Sequence, residues 1–153
     1  MTLTVPCLFG LESLVADEMR RLNLKDVRAE NGRVHCDGTL ADIARLNISL
    51  RCGARVLMEL GSFPARDFEA LFQGVYALPW EDFIPRDGEF PVKGYSLNSQ
   101  LHSVPACQAI VKKASARRLG EKYGLETLPE SGSRYQIQFS IIKDVATLYL
   151  DTS

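Results

Sequence analysis

The stretch Val27-Arg28-Ala29-Glu30-Asn31-Gly32-Arg33-Val34-His35-Cys36-Asp37 decides the fold. Asn-Gly between two extended runs is the strongest short-range hairpin signal, because both residues tolerate a tight turn. The stretch predicts two strands, 27–30 and 33–37, joined at Asn31-Gly32. Upstream, Leu3, Val5 and Cys7 alternate with Thr2, Thr4 and Pro6, which predicts a strand over 2–7. Gly10 breaks it, and Leu11, Leu14, Val15, Met19 and Leu22 then recur at helical spacing. Downstream, Thr39 with Asp42 three residues on has the form of a capping box with Asp in place of Glu. The helix it opens has Ile43, Leu46 and Leu50 as its apolar stripe. Val56, Met58 and Leu60 mark a strand over 55–60. The order strand, helix, strand, strand, helix, strand is the split βαβ pattern of a ferredoxin-like domain.

The second part of the chain is punctuated differently. Gly61 to Ala65 reads as a short break containing Pro64. Phe68, Leu71, Phe72 and Val75 follow i, i+3, i+4, i+7, an amphipathic helix with these four on one face. Pro79 and Pro85 make 78–88 mostly turn, and 90–95 is expected to be a strand with Pro91 near its start. Residues 96–102 read as a polar connection. A long helix is expected over 104–119, with Val104, Cys107, Ile110, Val111 and Ala114 apolar and Gly120 and Gly124 ending it. Strands at 135–142 and 145–150 flank the turn Lys143-Asp144. The expected class is α+β, with a ferredoxin-like domain over 1–63 followed by an α/β domain over 64–153.

Composition bounds the function. The chain has 153 residues, 18 basic and 19 acidic side chains, 46% apolar residues and a net charge of −1. Such apolar content excludes disorder. No apolar run is long enough for a membrane span, and the first 25 residues lack a secretory signal. Cys7, Cys36, Cys52 and Cys107 contain no CxxC pair, so zinc-ribbon and thioredoxin readings fail. They read as small buried residues of a protein in a reducing cytosol. No metal site is expected. The charge is uneven: residues 1–63 are net neutral, 64–90 carry −4, and 91–153 carry +3. Between Lys93 and Lys122 only Glu121 opposes Lys93, Lys112, Lys113, Arg117, Arg118 and Lys122. Lys113 and Arg117 fall i, i+4 on one helix face. Such a face suits phosphates, which supply most sequence-independent affinity for nucleic acid, and equally suits a solvated surface.

Catalytic signatures are lacking. The sequence has no G-x-G-x-x-G, no phosphate-binding P-loop and no G-x-S-x-G elbow, and His35 and His102 belong to no recognisable triad. Gln73-Gly74-Val75-Tyr76 is similar to the Gln-Gly-Val segment of acylphosphatases, but it lies in a helical pattern and Ala77 stands where that family has Arg. A small acylphosphatase-like hydrolase is therefore the weakest alternative.

Several ordered pieces together carry a stronger resemblance. They are 50–57 (Leu50-Arg51-Cys52-Gly53-Ala54-Arg55-Val56-Leu57), Pro79-Trp80-Glu81, Phe90-Pro91-Val92-Lys93, 103–114 beginning Ser103-Val104-Pro105-Ala106, and the closing Leu148-Tyr149-Leu150-Asp151-Thr152-Ser153. The chain resembles the N-terminal half of bacterial THUMP-containing RNA methyltransferases related to the large-subunit rRNA guanine-N2 enzymes. The resemblance implies a ferredoxin-like domain and a THUMP domain that together bind structured RNA, 23S rRNA being the implied partner. They would present it to a C-terminal domain that uses S-adenosylmethionine. The resemblance also implies a THUMP sequence profile that begins near 43. The chain lacks the Asn/Asp-Pro-Pro-aromatic motif of that catalytic domain, so these residues are expected to bind no cofactor and to methylate nothing themselves. The abrupt stop after an apolar strand reads as a boundary within a longer cytoplasmic protein. With the resemblance, Lys93, Lys112, Lys113 and Arg117 become the expected RNA contacts, followed by Asn98, Ser99 and Gln100. Arg51 and Arg55 match the pattern either as RNA contacts or as residues bonding across the two lobes. Trp80 reads as a packed anchor beside Pro79, Phe83 and Ile84 rather than a stacking platform. THUMP domains also accompany tRNA thiolation enzymes and a tRNA acetylation adaptor, which remain alternative parents. A protein-interaction domain without RNA is a further alternative.

Overall fold

The computed structural model describes residues 1–50 and 55–152. Arg51 and Cys52 lie outside them. Two compact units result, one made of Met1–Glu59 with Asp151 and Thr152, the other of Leu60–Leu150.

In the first unit the elements are β1 (Thr2–Pro6), α1 (Glu12–Arg21), β2 (Lys25–Glu30), β3 (Arg33–Asp37), α2 (Leu40–Ser49) and the start of β4 (Leu57–Pro64). The strands lie in the order β2-β3-β1-β4, and β1 is antiparallel to both of its neighbours. This is the expected ferredoxin-like arrangement. Gly32 takes φ +79° at the hairpin, which a residue with a Cβ rarely adopts. The capping box is complete: Asp42 N–H donates to Thr39 Oγ1 at 3.3 Å, and Thr39 N–H donates to Asp42 Oδ2 at 2.9 Å. Leu3, Val5, Val15, Met19, Val34, Cys36 and Leu46 form the core. The unit is closed by residues from far along the chain. Arg55 Nη1 donates to Asp151 Oδ2 at 2.7 Å, and Thr152 Oγ1 donates to Val56 O at 2.7 Å. Arg55 thus has a structural partner, but one within its own unit rather than across the two lobes.

The second unit contains the rest of β4, α3 (Phe68–Tyr76), a single 3-10 turn (Trp80–Asp82), β5 (Val92–Leu97), α4 (Val104–Tyr123), β6 (Ile137–Ile142) and β7 (Val145–Asp151). Its strand order is β4-β7-β6-β5, with β6 antiparallel to β7 and parallel to β5. Three expectations shift. The break foreseen at Gly61 is absent, because β4 runs through it to Pro64. β5 lies two residues later than expected, since its pairing with β6 draws Ser96 and Leu97 into the strand opposite Ile141 and Ile142. α4 continues past Gly120 to Gly124, whose φ of +68° ends it.

The two faces of this sheet differ. Phe63 meets Gly74 of α3, so α3 covers the face that carries Phe63. Ser62 Oγ lies 3.0 Å from Thr147 Oγ1 on the other face. Thr147 pairs with Ser140, and Ser140 with Tyr95, so strand alternation adds Lys93 to that second face. The helix-covered face holds buried Ile137, Phe139, Ile141, Ala146 and Leu148. Trp80 is fully buried, and its indole N–H donates to Val75 O at 2.8 Å, so it is an anchor as expected. Cys36 and Cys107 are buried and Cys7 half-buried; burial pushes all three thiols up, Cys36 to about 11.

Candidate nucleic-acid interface

α4 is set by local chemistry. Ser103 caps it, accepting a hydrogen bond from Ala106 N–H at 3.4 Å, and Pro105 sits in the first turn, where its missing N–H is harmless. Cys107, Val111, Ala114 and Leu119 form its buried stripe. The helical period then sends its basic residues in three directions.

Lys112 is partly exposed but tied to its neighbours. Its Nζ lies 2.6 Å from Glu130 Oε1, donates to Phe90 O at 3.0 Å, and sits 3.5 Å from the centre of the Phe90 ring. Burial raises the Glu130 pKa, but the hydrogen bonds from Lys112 and Phe90 N–H outweigh it and leave the carboxyl below its ordinary value. Arg118 turns the other way. Its Nε and Nη2 donate to the two oxygens of Glu81 at 2.9 and 2.7 Å, a fork-on-fork pair with both side chains 19% exposed. The guanidinium holds Glu81 below the usual carboxylate range. A lowered folded pKa adds stability above the unfolded value of 4.5 and loses it as pH falls through the folded value. Glu81→Gln is expected to destabilise the protein by about 1–3 kcal/mol at pH 7. Urea unfolding should show the gap from the parent narrowing below pH 4.5.

Lys113 and Arg117 point to solvent, and neither has an ion-pair partner among the described residues. The Arg117 guanidinium lies 5.3 Å from the centre of the Phe72 ring, which stacks in turn on Tyr76 at 6.3 Å. Tyr76 OH donates to Glu121. Thus α3 and α4 run side by side, and between them lies a groove of about 270 Å³ lined by Phe68, Glu69, Phe72 and Gln73 from α3 and by Ile110, Lys113 and Arg117 from α4.

The other expected contacts lie elsewhere. Lys93 is exposed on the sheet face opposite α3 and is not brought together with Lys113 and Arg117. Asn98, Ser99 and Gln100 follow β5 beside the Lys143-Asp144 turn. Asp144 N–H donates to Ser99 Oγ at 3.0 Å, and Gln100 N–H donates to Asp144 Oδ1 at 2.8 Å. Ser99 is thus engaged in shaping the loop, whereas the side chains of Asn98 and Gln100 are exposed. Two cations missed in the sequence reading stand at this corner: Lys143 in the turn and Arg66, 80% exposed and 3.8 Å from Asp144. The sequence held one signal for them, the turn dipeptide itself. Its proximity to residues 98–100 depends on the parallel β5–β6 pairing, which periodicity does not reveal.

Gln73-Gly74-Val75-Tyr76 lies within α3, so it forms no phosphate-binding loop. No group of His, Cys, Asp and Glu among the described residues is arranged to hold a metal ion, and no helix among them is long and apolar enough to cross a membrane.

Comparison with known proteins gives two family matches: an RlmL ferredoxin-like domain over residues 2–57 and a THUMP domain over residues 65–151. Bacillus subtilis YpsC, which carries a provisional name as an RNA methyltransferase, is 39% identical over 99% of this chain and 40% of its own length. The ribosomal RNA large subunit methyltransferase K/L of Pseudomonas aeruginosa is 30% identical over 99% of this chain and 21% of its own. A crystal structure from Listeria monocytogenes, of a protein predicted to be an N6-adenine-specific DNA methylase, superposes with a TM-score of 0.94. It is 46% identical over 99% of this chain and 40% of that one. The chain therefore spans well under half the length of these relatives.

Proposed function

The chain belongs to the THUMP-domain family, and from that premise we propose that it binds structured RNA through the exposed side of α4. The observation that carries this reading is the sorting of charge on one helix. Lys112 and Arg118 are neutralised by Glu130 and Glu81, while Lys113 and Arg117 remain open to solvent. An unpaired cation pair one turn apart keeps its full attraction for phosphate. Asn98 and Gln100, with Arg66 and Lys143, form a second contact corner. Lys93 is an outlying contact, Lys112 positions the Glu130 loop, and Ser99 shapes the turn beside that corner.

The relatives extend the reading. The full-length protein is a cytoplasmic RNA methyltransferase in which these residues, as domains 1–63 and 64–153, present 23S rRNA to a further domain for guanine-N2 methylation. That domain would bind S-adenosylmethionine as methyl donor. In this reading the part of the residues described here is to bind and orient the RNA.

Fluorescence anisotropy with a folded rRNA stem-loop tests the proposal. Lys113→Glu with Arg117→Glu is expected to weaken binding at least tenfold. The salt slope should fall in magnitude by about 1.4–1.8, since each of the two lost phosphate contacts removes about 0.7–0.9. Absence of salt-dependent affinity in the parent chain would overturn RNA binding. An unchanged slope in the double variant would remove α4 as the site.

A further inference from the structure

We propose that the α3–α4 groove seats one unpaired RNA base and selects guanine, with Phe68 as the stacking surface and Glu69 as the reader of the base edge. The inference rests on the RNA-binding reading above. Its starting point is a residue that departs from its pattern. Phe68 begins the apolar stripe of α3, yet it is 43% exposed, whereas Leu71 and Val75 of that stripe are fully buried. An exposed aromatic ring beside cations is the usual equipment for holding a splayed-out base, because every base has a face that stacks on it.

The groove also contains a group that phosphate binding does not explain. Glu69 lies in it with Lys113 and Arg117, and it forms no ion pair with either among the described residues. A carboxylate repels phosphate, so it argues against a track for the backbone alone. It suits a base edge, where amino and imino groups donate to carboxylate oxygens. Gln73 Nε2 donates to Glu69 Oε1 at 2.9 Å, one helical turn away, which orients the carboxylate; each carboxylate oxygen has two acceptor sites, so both can still accept from a base edge. Guanine alone among the four RNA bases offers two adjacent donors, N1–H and the N2 amino group, on its Watson–Crick edge. Both match a carboxylate acceptor. The cations then take the flanking phosphates, and Arg117 stays ordered by its contact with Phe72.

The test uses one labelled RNA hairpin carrying a short single-stranded extension, either of guanines or of adenines, with anisotropy over a salt series. The parent chain is expected to prefer the guanine extension about fivefold to tenfold, in line with a good bidentate base contact. Phe68→Ala is expected to remove the gain from either extension and to leave the salt slope unchanged. Phe68→Leu keeps the apolar bulk and should also lose most of the gain, which separates stacking from folding; thermal melting checks that both variants fold. Glu69→Gln should abolish the guanine preference while retaining stacking. If Phe68 and Glu69 variants bind both extensions as the parent does, while Lys113→Glu with Arg117→Glu lowers the salt slope, the base seat is refuted and the RNA-binding site stands. If the parent shows no RNA affinity, the underlying reading fails instead.

Discussion

Trp80→Ala is expected to destabilise the protein by about 3–5 kcal/mol, as large aromatic truncations in packed cores do. Trp80 is fully buried in a turn that begins just after α3, and it ranks with Phe90 and Phe139 among the largest buried side chains. Its removal leaves a void that α3 and the residues after it cannot fill without moving. It also deletes the hydrogen bond from the indole N–H to Val75 O. The Val75 carbonyl retains a bond from Leu78 N–H, so the packing loss dominates. Trp80→Phe keeps most of the volume and should lose much less. Urea unfolding followed by far-UV circular dichroism would measure both. A loss below about 1 kcal/mol for the alanine variant would refute the anchor role.

Gly74→Ala should act against the usual direction. In an exposed helix interior this change stabilises by up to about 1 kcal/mol, because glycine is the poorer helix former. Here a Cβ would lie 2.1, 2.3 and 2.4 Å from three atoms of the Phe63 ring. Something must shift, and the ring is held between β4 and α3. The expected result is a net loss of about 2 kcal/mol or more, the range for overpacked cores. Phe63→Leu in the same chain should recover part of it, and a double-mutant cycle would isolate the coupling. Additive effects of the two changes would show that ring and helix do not meet.

These residues also show how far the sequence could be read. The ferredoxin-like unit was legible because its signals are local: Asn31-Gly32 for the hairpin, Thr39 and Asp42 for the helix start, and alternation in the strands. Trp80 was legible as an anchor from its apolar neighbours. β5 was placed two residues early because parallel pairing with β6 decides its length, and pairing partners leave no mark on a strand's own period. Charge along the sequence points to α4 but does not sort its cations. Lys112 and Lys113 are adjacent in sequence, yet Glu130 claims one and leaves the other, and Arg118 is claimed by Glu81 from 37 positions away. The exposure of Phe68 is hidden in an ordinary amphipathic pattern, since periodicity gives the facing of a residue and not what its neighbours leave uncovered.

The closing of the first unit by Asp151 and Thr152 bears on the order of synthesis. The ribosome releases β1 to β4 early, but the partners of Arg55 and Val56 follow 96 residues later. Domains that are contiguous in sequence can finish folding as they emerge. Here the first unit must wait, incomplete at that edge, until nearly the whole second unit has been made. Chains stopped at about residue 150 should therefore carry a weakened N-terminal unit, so a quality-control protease would meet the defect far from the site of the truncation.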